Sequence, residues 1–417
     1  MASAKNSAPE APTAPLEKSA PSPHQAQIDA YDIVALVLQG GGALGSYQAG
    51  VYDGLAKANI HPNWVAGISI GALNAAIIAG NPPEKRVDQL HSFWTSICQQ
   101  PVLPKTAVDP ALIDFFPPAV RESLDIWEAS RAMIEGQNGF FLPRAFPWLL
   151  AFHGKPDTTS FYDTTPMRAT LEKFADFDRI NDTRQMRVSV GAVNVRNGNF
   201  AYFDNTKTTL RPEHFMASGA LPPGFAAVEI DGEYYWDGGL VSNTPLHHVL
   251  TDQTNGSATK DALVFQVDLW PARGDVPTDL VEVAIRQKDI QYSSRTRMIT
   301  EYMENTQKYR RMLQELMALV PEPQRDNFWY KRAAKTADDR RFNVIHLIYQ
   351  DKGQHHAHYM DYQFSALAMK NHWQTGLADI NNTLSHPDWL DLPSTEKPFV
   401  THDMHRPDNN LPQTDRS

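Results

Sequence analysis

A chain of 417 residues, 42% hydrophobic and 21% charged, holds enough apolar material for a large globular body with an extension, or for two domains. A net charge of -10 leaves no basic balance for phosphate contacts and speaks against nucleic acid as a partner. The single cysteine, Cys98, excludes an intramolecular disulfide framework and any cysteine-based metal cluster, and no apolar run approaches the roughly 18 residues of a membrane-spanning helix.

Residues 1–30, rich in Ala, Pro and Ser, read as a disordered leader without the apolar stretch of a secretory signal. Order is expected from Asp32-Ile33-Val34-Ala35-Leu36-Val37-Leu38-Gln39, a continuous apolar run that suits a central parallel strand buried on both faces. It runs into Gly40-Gly41-Gly42-Ala43-Leu44-Gly45 and a helix over Ser46 to Ala58. Strand, glycine loop and helix in that order aim backbone N–H groups at an anion. A dinucleotide pyrophosphate would need an acidic residue about 20 positions further on to hold the ribose. Asn59-Ile60-His61-Pro62 stand there instead, and the next strand ends in a serine. The loop therefore suits the oxyanion of an acyl-transfer intermediate better than a nucleotide.

Trp64-Val65-Ala66 leads into Gly67-Ile68-Ser69-Ile70-Gly71, followed by the helix-like Ala72 to Ala79. A serine on a tight strand-to-helix turn needs small neighbours so that the backbone can bend and the hydroxyl can project into a cleft. The following helix directs free N–H groups toward whatever that hydroxyl attacks. Two such units in succession predict a β-α-β-α pattern with a parallel sheet, right-handed crossovers, and both loops opening at the carboxyl ends of their strands.

From Asn81 to about Pro156 the chain is irregular, proline-rich and aromatic. Phe140 to Phe152 is too short to span a bilayer, and reads either as a cap packed over the sheet or as an acyl-chain funnel and interface-docking lid. Strand signals resume at Met186 to Asn194, with Asn197-Gly198 turning the chain into Phe200 to Asp204. Glu233-Tyr234-Tyr235-Trp236 then reaches Asp237-Gly238-Gly239, which places a carboxylate at a turn with room beside it; a purely turn-forming aspartate would look the same locally. Ala262 to Leu269 is one more buried strand. Val281 to about Val320 forms an amphipathic helical region ended by Pro321 and Pro323, with Met298, Ile299, Tyr302, Met303, Tyr309, Met312, Leu313, Leu316 and Met317 at helical spacing. Between Val281 and Arg341 there are 13 Lys and Arg against 9 Asp and Glu, which suits a solvated face or a pull toward anionic headgroups. Arg341 to Tyr349 reads as a strand and Asp361 to Leu377 as a helix. His355-His356-Ala357-His358 has no acidic or cysteine partner at ligand spacing and reads as a loop of solvated histidines.

Taken together and in this order, the glycine loop 40–45, the serine turn 67–71 and Asp237-Gly238-Gly239 resemble the patatin-like phospholipase family of serine acyl hydrolases over roughly residues 31–270. The resemblance implies an α/β fold with a mostly parallel central sheet flanked by helices, a three-layer sandwich. It implies a Ser–Asp dyad in which Ser69 is nucleophile and Asp237 its base, with an oxyanion hole from Gly40, Gly41 and Gly42. Gly45, Gly67, Gly71, Gly238 and Gly239 are the motif glycines. No cofactor or metal is implied; the partners are a lipid or ester substrate and a peripheral membrane contact, in the cytoplasm. Leu44 departs from the pattern, since members often carry Lys or Arg at that position. Residues 271–417 resemble the mainly helical C-terminal extension of a bacterial subgroup, which divides the chain into leader (1–30), hydrolase domain (31–270) and extension (271–417).

A carboxylate titrating near 3.9 is a poor base for a serine hydroxyl, so such a dyad requires Asp237 to be desolvated and its pKa raised. Two other readings stay open at this point. One is an α/β-hydrolase-type esterase with a Ser-Asp-His triad, its histidine drawn from His247, His248 or His346. The other is a non-catalytic lipid-binding protein on the same fold.

Overall fold

The computed structural model describes residues 23–98, 134–144, 155–251, 260–294, 296–337, 340–350 and 360–404. Residues 1–22 of the leader, Ala145 to Phe152 of the aromatic stretch, and the histidines at 355, 356 and 358 lie outside them. The end of the leader carries a helical turn, Gln25–Ile28.

Nine strands form one sheet: β1 (Ile33–Leu38), β2 (Trp64–Gly67), β3 (Arg187–Asn194), β4 (Phe200–Asp204), β5 (Val228–Ile230), β6 (Glu233–Asp237), β7 (Ala262–Asp268), β8 (Phe342–Ile348) and β9 (Phe399–Asp403). They lie in the order β9-β8-β7-β1-β2-β3-β6-β5, with β4 also paired to β3. Pairing is parallel from β9 through β3 and antiparallel in β4, β5 and β6. The unbroken apolar reading of β1 has its cause here. Val34, Leu36 and Leu38 enter one core, and Ala35 and Val37 enter another on the opposite face.

The larger core lies under α1 (Gly45–Lys57), α2 (Ile70–Ala79) and α3 (Arg86–Ile97), and it also takes in Leu171 of α4 (Thr165–Phe174) and Phe215 of α5 (Pro212–Ser218). The smaller core is closed by α6 (Leu246–Thr251) and by Met303 of a long helix from the C-terminal region. Helix, sheet and helix give the three-layer α/β sandwich.

The region after residue 270 is largely helical: α7 (Leu280–Tyr292), α8 (Thr296–Ala318), α9 (Phe328–Ala334) and α10 (Ala366–Leu384). It also supplies β8 and β9, so the sheet continues across residue 270. Helix α10 lies against α1 so closely that a Cβ on Gly50 would collide with the Trp373 carbonyl, and one on Gly376 with that of Tyr47. Tyr47 donates to Asp379 at 2.9 Å and Trp373 Nε1 to Asp53 at 3.0 Å across this contact.

Two helix bounds differ from the sequence reading. The 281–320 region breaks at Ser293, which is extended (φ -57°, ψ 143°), because the Tyr292 carbonyl accepts from Gln39 and Asn243 rather than from the next helical turn. The helix expected from Asp361 starts instead at Ala366, where the Ser365 side chain caps it by accepting from Ala368 N–H, and it runs on to Leu384. Met360–Tyr362 is a separate 3-10 turn.

Candidate active site

Sheet register sets Ser69 and Asp237 at one height. Leu38 pairs with Gly67 and Gly67 with Val190, so the chains leaving β1 and β2 emerge side by side. Two residues beyond Val190, Ala192 faces Asp237, the last residue of antiparallel β6. Two residues beyond Gly67 stands Ser69. A Cβ on Gly238 would lie 3.1 Å from Ile68, so the chain after Asp237 turns over the end of β2.

Ser69 holds φ 54° and ψ -124°, outside the ordinary regions for a side-chain-bearing residue, at a cost of order 1–3 kcal/mol. A Cβ on Gly67 would strike the Gly71 backbone, and one on Gly71 would strike the Leu38 carbonyl, which is the physical content of the two glycines around the serine. The turn is braced from α5: Ser69 N–H donates to Ser218 Oγ at 3.0 Å, and that hydroxyl donates to the Gly191 carbonyl at 2.6 Å.

The Ser69 hydroxyl lies close enough to the Asp237 carboxylate to help hold its pKa down, and that carboxylate accepts from Gly239 N–H at 2.7 Å. Asp237 is 3% exposed, and burial pushes its pKa up to about 7 against the weaker opposing pull of these two donors. Tyr292 of α7 stands close enough for the charge of Asp237 to raise its own pKa, after the larger effect of burial.

The three loop glycines are not equivalent. Gly40 N–H donates to the Asn243 carbonyl at 3.2 Å, and the Gly40 carbonyl accepts from Asn243 Nδ2 (3.0 Å) and Trp270 Nε1 (2.8 Å). The Gly40 N–H is thus already bonded within the protein. Gly41, Gly42 and Ile70, by contrast, have N–H groups without a hydrogen-bond partner among the described residues. Gly42 holds φ +56°, and a side chain there would meet the Asp361 carbonyl. Gly45 packs on Ile70, and Gly239 lies beside Asp237 and Asn243. Leu44 is buried in the main core, so that position presents no charge to the loop.

Of the histidines considered for a triad, His247 is exposed on α6 and the others are engaged elsewhere, as is His214. His214 Nδ1 accepts from Arg211 N–H at 2.9 Å at the start of α5. His248 stacks on Tyr202 with ring centroids 3.9 Å apart. His346 Nε2 lies 2.6 Å from Asp268, a buried carboxylate that also accepts from Gln266 and Ser294. Among the described residues no histidine hydrogen-bonds Ser69, and no group of three or more His, Cys, Asp or Glu could hold a metal ion.

A family model described as patatin-like phospholipase matches residues 36–250, just over half of the chain. This chain belongs to the patatin-like phospholipase family. A second model, described as patatin phospholipase, matches residues 290–396, so most of the C-terminal region has its own family counterpart. Solved structures with distant likeness include VipD from Legionella pneumophila (14% identity, TM-score 0.35, 85% of this chain and 67% of that one). Another is human GIVD cytosolic phospholipase A2 (12% identity, TM-score 0.30, 58% of this chain and 45% of that one). No curated protein matches the chain. At family level the protein is a lipid hydrolase. No helix among the described residues is long and apolar enough to cross a membrane.

Within this patatin-like protein the C-terminal region completes the surroundings of the motifs. Lys288 of α7 pairs with Asp361 at 2.9 Å beside Gly42, and Tyr362 lies under its ammonium at 5.0 Å. Phe140 and Phe141 are buried in the main core and contact Phe364 and Phe225, so the described start of the 140–152 stretch packs as a cap. Sequence reasoning missed Ser218, Trp270, Tyr292 and above all Asn243. The signal for Asn243 was its position six residues after Asp237, with Thr244-Pro245 ending the turn.

Asn243 ties the glycine loop to α7, since its Nδ2 also donates to the Tyr292 carbonyl at 2.9 Å. Asn243→Ala leaves the Gly40 and Tyr292 carbonyls short of a donor and lets the loop shift relative to Ser69. Displacements of about 1 Å cost up to roughly a hundredfold in rate. Steady-state kinetics on a soluble ester will show kcat lowered ten- to hundredfold with KM changed by less than threefold.

Proposed function

We propose that this protein cleaves carboxylic esters of lipids through an acyl-Ser69 intermediate, with Asp237 as the base. The observation that carries the reading is a serine on a strained turn beside a buried carboxylate whose pKa is pushed up to about 7. Asp237 takes the Oγ proton as Oγ bonds to the ester carbonyl carbon, and the N–H groups of Gly41, Gly42 and Ile70 receive the oxyanion. Each such donor is worth on the order of 3 kcal/mol of barrier. The C–O bond to the alcohol then breaks, and Asp237 returns the proton to the leaving oxygen. Water attacks the acyl-enzyme with Asp237 again accepting a proton, which passes to Ser69 Oγ as the fatty acid departs.

Engagement of His214, His248 and His346 by other partners, with His247 exposed on α6, favours the dyad over a triad. Clustered aromatic side chains support an acyl rather than a polar substrate: Phe141 contacts Tyr162 at 4.8 Å and Phe225 at 5.2 Å, and Phe140 contacts Phe364 at 6.0 Å.

A substrate panel tests the proposal, running from short p-nitrophenyl esters to lysophospholipids and diacyl phospholipids presented as vesicles. Fatty-acid release and stoichiometric labelling by a fluorophosphonate are expected. A folded protein that releases no acid from any member and takes up no label would be a lipid-binding protein instead.

A further inference from the structure

Helix α8 has two apolar faces, and among the described residues only one of them is seated on the sheet, with α9 also in contact with the helix. Met303 and Gln307, 1% and 0% exposed, seat the helix on the sheet beside β9 and α6. Beside that face runs a second stripe: Met298, Tyr302, Asn305, Tyr309, Met312, Leu316 and, just past the last turn, Leu319. The spacing alternates four and three throughout, which is the 3.5-residue period of a coiled-coil seam. Its six apolar members are between 54% and 78% exposed, and Asn305 is exposed as well. Single exposed apolar side chains need no explanation, but six on one line along one helix do.

The charges beside the stripe indicate what covers it. Glu301, Lys308 and Glu315 recur every seven residues along its open edge, acid, base, acid. A stripe that lies on an anionic bilayer is bordered chiefly by lysine and arginine, whereas this edge carries two glutamates to one lysine. The same helix running antiparallel suits the pattern, because a shift of one heptad from the symmetric overlap sets Lys308 of each copy opposite a glutamate of the other. Lys308 pairs with Glu304 on its own helix at 2.8 Å, half-exposed, a pair weak enough to exchange. One polar residue in an apolar seam is a recognised device for fixing register.

From this geometry we infer that α8 is a dimerisation element, and that two copies pair antiparallel along the stripe across a two-fold axis. The contact stands apart from Ser69 and Asp237, so it holds whether or not the ester-hydrolase reading does.

Sedimentation velocity of the full chain across a concentration series tests it. The wild type is expected at twice the chain mass of 46.8 kDa in the tens-of-micromolar range. The double variant Tyr309→Glu/Leu316→Glu is expected as a monomer with unchanged circular dichroism and unchanged activity on a soluble ester. Lys308→Glu is expected to weaken the dimer at least tenfold, and adding Glu301→Lys with Glu315→Lys to restore it, a recovery that only facing charges produce. A wild type that stays monomeric, a dimer that survives the double variant, or a charge swap without recovery each overturns the pairing. A monomer that floats with phosphatidylglycerol vesicles through Tyr309 and Leu316 overturns it in favour of a membrane face.

Discussion

Ser69→Ala is expected to lower ester hydrolysis on the order of 10⁴-fold or more while the protein stays folded. Removal of Oγ deletes the atom that forms the acyl-enzyme in the proposed mechanism. The effect on folding is small for a structural reason. What Ser69 contributes to the fold runs through its backbone, since N–H donates to Ser218 and the carbonyl accepts from Ala72 and Leu73. Alanine keeps all three bonds and the same φ of 54°, so the strain of the turn is unchanged. Thermal denaturation will show a melting temperature within a few degrees of wild type. A fluorophosphonate probe will label the wild type once and the variant not at all, and mass spectrometry of the labelled peptide locates the serine. Label on another serine with activity retained would sink the assignment.

Much of this site was legible because its signals are local. The apolar run of β1 and the glycines of the 40–45 loop need only a few neighbouring residues to be recognised, and so does the serine between Gly67 and Gly71. Asp237 was different. An Asp-Gly-Gly turn looks the same whether or not its carboxylate meets a serine. The contact follows from register, with Gly67 beside Val190 and Ala192 beside Asp237, which no short pattern expresses. Only the order of the three motifs along the chain pointed to it.

The rest escaped for the same reason. β8 reads as a strand from its own residues, but nothing local says that it continues the sheet of the hydrolase motifs at β7. The break after Tyr292 is set by Gln39 and Asn243, roughly 250 and 50 positions back along the chain, which take the carbonyl that a continuous helix would have used. The family resemblance implies that Gly40 donates to the oxyanion together with Gly41 and Gly42, and no local pattern shows that its N–H has another partner. Its bond to Asn243 joins segments about 200 residues apart.

Asp237→Asn separates the dyad from a triad and carries a pH signature of its own. The amide keeps the shape but cannot accept the Ser69 proton, so kcat is expected to fall nearly as far as in Ser69→Ala. A triad acid only orients a histidine, and its loss would leave that histidine as the essential base. His214→Ala, His247→Ala, His248→Ala and His346→Ala are each expected to keep kcat/KM within about tenfold, a barrier change below roughly 1.4 kcal/mol. A thousandfold loss at one of them, in a folded protein, would overturn the dyad. In the wild type only ionised Asp237 is a base, so log kcat/KM should fall with unit slope below about pH 7 rather than below pH 4. Stability runs the other way. The folded-state pKa is raised above the unfolded one, so between about pH 4 and pH 7 the folded protein holds a proton that the unfolded chain has released. Stability therefore declines as pH rises through that window, because above it the buried carboxylate must carry its charge. Asp237→Asn removes that burden, and its melting temperature should exceed that of wild type at pH 8, with the gap closing toward pH 4. An acid limb near pH 4, or a variant less stable than wild type at pH 8, would mean that the carboxylate is not held in the dry surroundings its burial describes.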